Sequence, residues 1–509
     1  MIISLSVLVI TIIVSGTYAL YKAQLSKNIG VNTTTHGLAY YINYVKGTDI
    51  TAATLNPSTS YEGGASSDIE FWKKDDSYDI YGKIELTVNT IGTNLSNSPA
   101  LKYAVVNNGN VLKEGSLKGT TSGSKVTILK NLYLEQTKQI YTVYVWLDNS
   151  EELGNISNES LSISVDCTAS LQKEPTAADT IISLYTSAAK VTATNNSITY
   201  NTAPSVSLMN DRLGGTTTSL DGGNIRYYGA SPNNYIYFNC SDYSNQTSST
   251  CETWRIIGVF DGKLKIMRNE FIGNYSWDNK NTSTGAEDTE GKNDWTTARL
   301  MKLLNPSNYY TIDSNDNNLG QSLYYNSASG KCYRSSNNAT VNCDFTSTGI
   351  KNEETRNMIA ETTYNLGGWN SFSVYPNEIY EYERGTTVYT DRPTTWTGKI
   401  ALAYPSDYGY AADLNQCVNK QLNKYNDSTC TSNNWMKAII TNNGGNFGWL
   451  LTPDSSSSYS AWCVYFNGYV GNCNANVTNL GVMPVLYLSS KLGIESGDGS
   501  SSNPYKLSI

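Results

Sequence analysis

The stretch YDIYGKIELTV, residues 78–88, alternates apolar and polar side chains along most of its length. An alternation with a period of two places one set of side chains on each face of a β-strand. The stretch therefore predicts a strand that packs one face against a hydrophobic core and turns the other face to water. The inward set is Tyr78, Ile80, Ile84, Leu86 and Val88, and the outward set is Asp79, Lys83 and Glu85.

Neighbouring segments extend this pattern over residues 25–170. Leu101–Val106 precedes Asn108-Gly109, the dipeptide favoured at the two central positions of a type I′ hairpin turn. Ile140–Leu147 is apolar on both faces and predicts a central strand. About seven short strands with turns at this spacing predict an all-β, immunoglobulin-like sandwich.

The overall composition indicates a protein of several domains that does not bind nucleic acid. At 509 residues the chain is long enough for two or three domains. It has a net charge of -8 and no basic run, whereas nucleic-acid binding requires clustered Lys and Arg. Because the chain has a single histidine, His36, most of the metal-binding and acid–base chemistry that depends on histidine is excluded. We expect no cofactor, no metal and no nucleic-acid partner.

Eight of the nine cysteines fall into four local pairs, separated by 11, 11, 13 and 10 residues. These spacings differ from the C-x-x-C motif of zinc and redox sites. They predict four local disulfides formed in an oxidising compartment. Cys167 is left over, and the sequence allows either a buried, inert thiol or a bond to a partner. The predicted bonds are Cys240–Cys251, Cys332–Cys343, Cys417–Cys430 and Cys463–Cys473.

Residues 1–22 predict a signal or membrane segment. Met1–Leu20 is apolar apart from Ser and Thr, and small residues follow in Gly16–Ala19, as a signal-peptidase site requires. The GTYA sequence after an apolar run resembles the signal of the camelysin and biofilm-fibre family of Gram-positive bacteria. Proteins of that family are exported β-sandwiches, and some assemble into extracellular fibres. We expect an extracellular or cell-surface protein, either secreted or held in the membrane by this segment.

The remainder of the chain predicts an α+β organisation that differs from the first 170 residues. Residues 171–220 are interpreted as a helix followed by a Thr- and Asn-rich linker, and residues 221–509 as a separate domain. A hairpin is expected at Asp261-Gly262 because apolar runs flank this dipeptide. The predicted elements are a helix at Pro175–Val191, strands at Trp254–Phe260 and Lys263–Glu270, a helix at Trp295–Leu304 capped by Asp294, and a helix at Asn352–Tyr364.

The C-terminal quarter carries a recognisable motif. Trp449–Pro453 (WLLTP) precedes a Ser-rich stretch and a hairpin around Asn467-Gly468, and Gly481–Leu488 (GVMPVLYL) follows. These residues resemble bacterial surface proteins with the C-type-lectin or formylglycine-generating-enzyme-like fold, including the variable proteins of diversity-generating retroelements. The resemblance covers roughly residues 224–509 and implies a C-type-lectin-like domain with a ligand site near this hairpin.

Two activities known in that fold family are not carried over. The formylglycine-generating enzyme uses reactive cysteines, whereas every cysteine of this domain has a local structural partner. Calcium-dependent lectins use Glu-Pro-Asn and Trp-Asn-Asp elements, and Trp369–Ser371 keeps only part of the latter. Asp313–Asn317 begins like an EF-hand loop but lacks the glycine at the sixth position.

The predicted ligand site lies on the hairpin around Asn467, which combines Tyr, Asn, Ser and Gly. Adaptable binding surfaces use this mixture, because rigid aromatic side chains are combined with flexible hydrogen-bonding groups. Strand periodicity assigns Trp462, Val464 and Phe466 to the core, and Tyr465 and Asn467 to the exposed face. The predicted ligand-binding residues are Tyr459, Tyr465, Asn467, Tyr469, Asn472, Asn474 and Asn476.

The same hairpin contains the pair Cys463 and Cys473. A two-residue turn at Asn467-Gly468 with a one-residue bulge sets these cysteines opposite each other. Their disulfide then fixes a rigid finger, which lowers the entropic cost of binding.

We therefore expect a non-catalytic, exported ligand-binding protein or adhesin whose extracellular ligand is a protein or a glycan. The first alternative is a structural subunit of an extracellular fibre or biofilm matrix. The second is a surface glycan hydrolase, because acidic residues lie close in sequence and paired carboxylates perform such hydrolysis. Those acids are Glu378, Glu381, Glu383 and Asp391.

Overall fold

The computed structural model describes residues 23–24, 41–51, 55–156, 159–212, 223–279, 290–311, 320–332, 341–442 and 447–508. The chain divides into two units, Met1–Glu174 (unit 1) and Pro175–Ile509 (unit 2). The predicted signal segment at residues 1–22 and the histidine His36 lie outside the described residues. Within the described ranges, no helix combines the length and the apolar character needed to cross a bilayer.

Unit 1 consists of two β-sheets whose inner faces contribute to one buried core. Its strands are β1 (Ala23–Gln24), β2 (Ile42–Val45), β3 (Ile50–Thr51), β4 (Pro57–Ser58), β5 (Ala65–Lys73), β6 (Tyr81–Ile91), β7 (Leu101–Asn107), β8 (Asn110–Ser116), β9 (Lys125–Tyr133), β10 (Ile140–Asp148) and β11 (Leu161–Ser170), with helix α1 at Thr93–Asn97 and a 3-10 turn at Tyr61–Gly63. One sheet has the order β1-β11-β6-β9, with β3 beside β11. The other has the order β2-β5-β10-β7-β8, with β4 parallel to β10.

The strand predicted within residues 78–88 is confirmed as a strand with one face in the core. Ile84, Leu86 and Val88 of β6 are fully buried, and Lys83 and Glu85 on the other face form an ion pair at 2.9 Å. Tyr78 differs from the prediction, because β6 begins three residues later and the Tyr78 side chain is 45% exposed.

Two further expectations for unit 1 are confirmed. Strand β10 is central, pairing with β5 on one side and β7 on the other. Asn108 and Gly109 both have positive φ, 49° and 76°, as a type I′ turn between β7 and β8 requires.

Cys167 lies in β11 as a buried free thiol, and burial raises its pKa well above the ordinary value. The structure therefore favours the inert thiol of the two alternatives.

Unit 2 is built around a nine-stranded sheet with smaller sheets and short helices packed beside it. Its strands are β12 (Val191–Asn195), β13 (Ile198–Ala203), β14 (Leu208–Asn210), β15 (Ile225–Tyr227), β16 (Tyr235–Phe238), β17 (Glu252–Phe260), β18 (Lys263–Arg268), β19 (Ser329–Cys332), β20 (Val341–Asp344), β21 (Thr362–Asn365), β22 (Thr395–Gly398), β23 (Ile400–Ala401), β24 (Phe447–Pro453), β25 (Ser460–Tyr465), β26 (Val470–Asn474), β27 (Val485–Tyr487), β28 (Gly493–Ser496) and β29 (Lys506–Ser508). The helices are α2 (Ala177–Ser187), α3 (Arg299–Leu304), α4 (Glu353–Met358), α5 (Pro376–Glu383), α6 (Pro405–Tyr410), α7 (Ser428–Ser432) and α8 (Trp435–Asn442), with 3-10 turns at Pro204–Val206, Ser307–Tyr309 and Leu422–Lys424.

The large sheet has the order β12-β13-β14-β15-β17-β18-β27-β23, with β16 beside β17. The predicted hairpin of β17 and β18 is confirmed, and Asp261 and Gly262 at its turn have φ of 48° and 70°. The smaller sheets are β19-β20, β21-β22, β24-β25-β26 and β28-β29. The chain is thus mostly β, and the expected combination of strands with short helices holds for unit 2.

The described part of residues 171–220, which ends at residue 212, differs from the expected helix and linker. The helix is present as α2, but the stretch after it contains β12, β13 and β14, which form one end of the large sheet. The β-branched Thr and Ile residues of ITYNTA (β13) suit a strand, and the Asn-Ser pair at 196–197 supplies the positive φ of the preceding turn. The three strands could not be recognised from composition, because a stretch rich in Thr and Asn has the composition of a linker.

Both predicted helices around the cysteine-rich loops are shorter than expected. Asp294 does not cap a helix at Trp295, because its carboxylate accepts the N–H of Thr296 in a tight turn and α3 begins only at Arg299. Helix α4 is capped by Asn352 but ends at Met358, and the following residues form β21, which pairs with β22. Pairing of β21 with β22 thus overrides helical periodicity after Met358, whereas the turn at Asp294 takes the place of the first turn of the other expected helix.

The four predicted disulfides are confirmed in their sequential, local pattern. Cys332–Cys343 joins β19 to β20, and Cys463–Cys473 joins β25 to β26. Cys417–Cys430 ties the turn after α6 to α7, and Cys240–Cys251 closes the loop between β16 and β17. All four bonds therefore lie in unit 2.

Reduction is expected to destabilise unit 2 and to leave unit 1 nearly unchanged. Each bond closes a loop of 10 to 13 residues, and such closure contributes roughly 2–3 kcal/mol to the free energy of unfolding. Calorimetry with and without reductant measures the effect as the loss of stability in one unfolding transition only. A peptide map that joined Cys251 to Cys332, or an equal loss in both transitions, would contradict this pattern.

Candidate functional site

The predicted ligand hairpin is formed by β25 and β26, but its turn differs from the expected one. Cys463 faces Gly471 and Val464 faces Val470 across the pair. The carbonyl of Tyr465 accepts the N–H of Gly468 at 2.8 Å, so the loop is the three-residue segment 466–468. Gly468 has a φ of 94°, the left-handed conformation that closes such a loop.

This register changes the geometry of the Cys463–Cys473 disulfide. Cys473 faces Ala461, so the two cysteines are diagonal rather than directly opposite neighbours, with their Cα atoms 6.0 Å apart. Diagonal partners lie on the same face of the hairpin, and the bond still prevents the strands from sliding. The expected rigid hairpin is therefore present with a different register.

The predicted ligand residues are divided between the two faces of the hairpin. Tyr465 and Tyr469 lie on the face of Cys463, in an edge-to-face contact with ring centroids 5.3 Å apart. Their rings pack over the backbone of Gly471, where an added Cβ would lie 2.7 Å from a ring carbon of Tyr469. Asn472 and Asn474 belong to the opposite face, because side chains alternate along β26.

The asparagine side chains are used within the fold. Asn472 Nδ2 donates to Oδ2 of Asp454 at 2.8 Å, and Asn474 Nδ2 donates to Oε2 of Glu290 at 3.1 Å. Asn467 Oδ1 accepts the N–H of Tyr469 at 3.1 Å inside the turn. These bonds shape the loops around the hairpin and occupy polar groups that the sequence analysis assigned to a ligand.

Tyr459 and Asn476 lie at the base of the hairpin, away from its turn. The Tyr459 carbonyl accepts the N–H of Ala475, and the N–H of Asn476 donates to the Glu290 carbonyl at 3.0 Å. Because each strand residue advances about 3.4 Å, the base and the turn are separated by the full length of β25. The seven predicted residues therefore do not form one continuous patch.

The turn of the hairpin presents a group that the sequence analysis assigned to the core. Phe466 is 57% exposed, because β25 ends at Tyr465 and the alternation of the strand no longer applies in the turn. Tyr465 is half-buried instead, and its hydroxyl donates to the Asn472 carbonyl at 3.2 Å. We define the tip patch as Phe466, Asn467 and Tyr469.

The tip patch is fixed to the body of unit 2. The Tyr408 hydroxyl, from α6, donates to the Gly468 carbonyl at 3.1 Å. The Gly468 Cα also lies against the Tyr425 carbonyl, which an added Cβ would approach to 2.8 Å. The hairpin is thus held at its turn as well as by its disulfide.

A second aromatic group lies beside the base of the hairpin. The rings of Trp369 and Tyr382 are stacked, with centroids 3.7 Å apart and planes within 4°. The Trp369 carbonyl accepts the indole N–H of Trp462 at 3.2 Å and the N–H of Ser455 at 3.3 Å. The structure thus joins the loop containing Trp369 to the Ser-rich loop that precedes β25.

That Ser-rich loop is organised by two residues that sequence reasoning missed. Asn293 Nδ2 donates to the carbonyls of Asp454, Ser457 and Ser460 at 3.0, 2.7 and 2.9 Å. Arg392 donates to Asn293 Oδ1 at 3.2 Å. Neither residue stands in a recognisable motif, because both reach the loop only through the tertiary fold.

The interior of unit 2 contains a set of buried ions, also without a sequence signal. Arg226 of β15 lies between two carboxylates, with Nε 2.5 Å from Oδ2 of Asp211 and Nη1 2.9 Å from Oδ1 of Asp407. Lys265 of β18 contacts the other oxygen of Asp407. We call these four residues the ion cluster, and burial of charge at this depth requires such pairing.

A second buried ion pair adjoins the cluster. Glu383, at the end of α5, accepts the N–H and the hydroxyl of Ser406 at 2.8 and 2.5 Å, and Arg384 lies 3.2 Å from it. Burial raises the pKa of Glu383 to about 7, against the lowering effect of Arg384 and Ser406. Burial also lowers the pKa of Lys265 to about 8, although Asp407 acts in the opposite direction.

The four carboxylates considered for a hydrolase have different surroundings. Glu378 accepts the N–H of Tyr375 at 2.9 Å and so caps α5, whereas Glu383 is buried on Ser406. Glu381 and Asp391 are exposed. In the described ranges, no group of three Asp, Glu, His or Cys side chains is placed to hold a metal ion, and residues 313–317 lie outside those ranges.

Two cavities in the interior of unit 2 are small. One is lined by Ser276, Arg299 and Lys302, and the other by Met267, Met436 and Val464. Each has a volume of about 10 Å³, comparable to the space that a single water needs. Neither has room for a small-molecule ligand.

Comparison with known proteins identifies no family for this chain. No family model matches the sequence, and no curated protein matches it. Crystal structures of two mutants of HCR/D show a weak likeness, with 11% and 12% sequence identity and TM-scores of 0.15. Each match covers 50% of this chain, together with 76% of the chain of the first mutant or 77% of the chain of the second. A likeness at this score carries no argument about fold or function.

The buried acids predict a pH dependence of the stability of unit 2. Glu383 holds its proton more tightly in the folded unit than in the unfolded chain. Its contribution to the free energy of unfolding is therefore complete below about pH 4.5 and is lost as the pH rises through about 7. The raised pKa of Glu383 corresponds to at most about 3 kcal/mol of the free energy of unfolding. Asp278, whose pKa burial also raises to about 7, acts in the same direction.

Urea unfolding of the wild type and of Glu383→Gln between pH 4.5 and 7.5 measures this dependence. Over this range, the free energy of unfolding of the variant should fall less steeply with rising pH than that of the wild type. Parallel curves would show that Glu383 titrates normally in the folded unit.

Proposed function

We propose that this chain is an exported, non-catalytic protein of the cell surface that binds an extracellular protein or glycan through unit 2. The observation that carries the proposal is the tip patch. It combines a large exposed apolar ring, Phe466, with Tyr469 and Asn467 on a hairpin whose turn and strands are both fixed. Aromatic side chains held rigidly in this way supply most of the binding energy at protein interfaces.

The disulfides and the N-terminal sequence support export. Four disulfides indicate that unit 2 folds in an oxidising environment. The apolar run of residues 1–20 supports secretion or membrane attachment as the route to that environment. We propose an extracellular location on these two grounds.

The surroundings of the two buried acids argue against a hydrolytic role for these two carboxylates. Asp407 is neutralised by Arg226 and Lys265, and Glu383 is bonded to Ser406. Both carboxylates are fully buried, so no substrate reaches them without unfolding. Hydrolysis of a glycan requires two acids that flank an accessible bond.

We also propose specific folds for the two units. Two sheets of unit 1, antiparallel apart from the β4–β10 pair, over one core support an immunoglobulin-like sandwich. Short helices, small antiparallel sheets and local disulfides in unit 2 support a C-type-lectin-like domain.

Binding of the exported chain to glycan and protein arrays tests the function, and two substitutions test the site. Phe466→Ser with Tyr469→Ser should weaken binding of the array ligand by more than tenfold, since truncation of an interface hot spot costs about 1–2 kcal/mol or more. The thermal midpoint should fall only slightly, because Phe466 is exposed and Tyr469 is only partly buried, against Tyr465 and Gly471.

Val191→Ser is the matched control, because Val191 is also an exposed apolar residue of unit 2, at 47%, but lies on edge strand β12. It should leave binding unchanged. Normal binding by the double variant would exclude the tip patch and direct attention to Trp369 and Tyr382. Absence of any array ligand for the wild type would contradict the binding function itself.

A further inference from the structure

Lys265 and Asp407 form a closed pair in the interior of unit 2. Their side chains are 0% and 1% exposed, and Nζ of Lys265 contacts Oδ2 of Asp407. The rings of Tyr404, Phe260 and Tyr487 lie 4.4, 5.1 and 5.6 Å from Nζ. An amine and a carboxyl group are therefore held together in an aromatic environment that shields them from solvent.

We propose that Lys265 and Asp407 become joined by an intramolecular amide bond, a covalent cross-link between strand β18 and helix α6. In this condensation, Nζ bonds to Cγ and the Cγ–Oδ2 bond breaks. Two of the three protons of the ammonium leave with Oδ2 as water, and the third remains as the amide N–H. The step needs no oxidant and no further reactant, and the total charge does not change.

The fold keeps the two reacting groups together. Lys265 lies in the middle of β18, where it is paired with Gly258 and Tyr487 on the neighbouring strands. Asp407 is fixed on α6 by the N–H of Tyr404, which donates to Oδ2 at 2.9 Å. Groups positioned in this way react as if at very high concentration, which replaces the usual need for activation by a second enzyme.

Burial also supplies the reactive form of the amine. An ammonium group is not a nucleophile, but transfer of one Nζ proton to Oδ2 of Asp407 leaves a neutral amine beside a neutral carboxyl group, and the lowering of the Lys265 pKa to about 8 by burial favours this transfer. Burial alone would raise the pKa of Asp407, but Lys265 and Arg226 outweigh it and lower this pKa, so most molecules hold the ionised carboxylate and the condensation is slow. A slow reaction is sufficient, because it occurs once in the lifetime of the molecule.

Arg226 has a second, favourable effect on the reaction. Its Nη1 lies 2.9 Å from Oδ1 of Asp407, the oxygen that the amide retains. Negative charge develops on this oxygen when Nζ attacks Cγ, and a guanidinium group in place stabilises that charge. Asp211 balances Arg226 from the other side, so the product leaves one buried cation paired with one buried anion.

The cross-link also removes two buried charges, and their desolvation penalty, from the interior. Two buried charges each carry a desolvation penalty that their mutual attraction offsets only in part. An amide in their place is neutral, and its oxygen still accepts the bond from Arg226. In this proposal the ion pair is the precursor of the amide, and the Tyr404 N–H, which donates to Oδ2 in the ion pair, loses that acceptor when the water leaves.

Unit 1 contains a natural comparison. Lys73 is also buried, at 3% exposure, and its Nζ lies 2.8 Å from Oδ1 of Asp76. The Asp76 side chain is 71% exposed, so water solvates the carboxylate and the ion pair persists. We expect no amide at this pair.

Peptide mapping of the full chain tests the cross-link directly. The sample is one whose unreduced digest shows the four disulfides, so that unit 2 has folded. After reduction, trypsin should release residues 264–268 joined to residues 400–420, lighter than the sum of the two peptides by one water. In Lys265→Arg, which keeps the charge but forms no amide, the same digest should contain the 400–420 peptide only in its free form.

The opposite result is equally clear. Recovery of residues 266–268 and of unlinked residues 400–420 in full yield from the folded wild type would overturn the proposal, because trypsin cuts after Lys265 only when its amine is free. A linked peptide between Lys73 and Asp76 at the same yield would also overturn it, since burial of both partners would then not be the cause. The wild-type digest decides the question even if Lys265→Arg fails to fold.

Discussion

The structure of unit 2 depends on the need to neutralise the carboxylate of Asp407. This group is buried at the start of α6 and receives Arg226 from β15, Lys265 from β18 and the N–H of Tyr404. A buried charge without partners costs several kcal/mol, so an arrangement that took Asp407 away from Arg226 and Lys265 would be destabilised by about that amount. The carboxylate therefore acts as the point that sets the position of α6 on the large sheet.

The position of α6 determines where the candidate binding surface stands. Tyr408 follows Asp407 by one residue, and its hydroxyl holds the Gly468 carbonyl at the turn of the hairpin. Ser406 precedes Asp407 and bonds Glu383 at the end of α5, the helix that carries Tyr382 beneath Trp369. The tip patch and the stacked pair of Trp369 and Tyr382 are thus both connected to the ion cluster through the consecutive residues 406–408.

The many asparagines of unit 2 illustrate how a polar composition builds a scaffold. Asn293 satisfies three carbonyls of one loop, and Asn305 pairs with both the N–H and the carbonyl of Ile400. An amide side chain donates and accepts, so it replaces a strand partner where irregular backbone is buried. Asn472 and Asn474 on the hairpin are used in this manner, which explains why their abundance is a poor indicator of a ligand site.

The sequence by itself determined the features that depend on short-range patterns. Alternation identified β6, and a run apolar on both faces identified β10. The dipeptides Asn108-Gly109 and Asp261-Gly262 identified two hairpins, and spacing identified all four disulfides. Each of these signals is local, because strand faces, turns and small closed loops are set by neighbouring residues.

Only the tertiary structure decided the features that depend on distant partners. The diagonal register of Cys463–Cys473 and the exposure of Phe466 follow from a turn one residue longer than the local sequence suggested. Lys265 alternates with Leu264 and Ile266 as an exposed residue would, yet it is buried because Asp407 meets it from 142 residues away. Polar residues are buried where a partner from another part of the chain compensates them, and no local pattern encodes that partner.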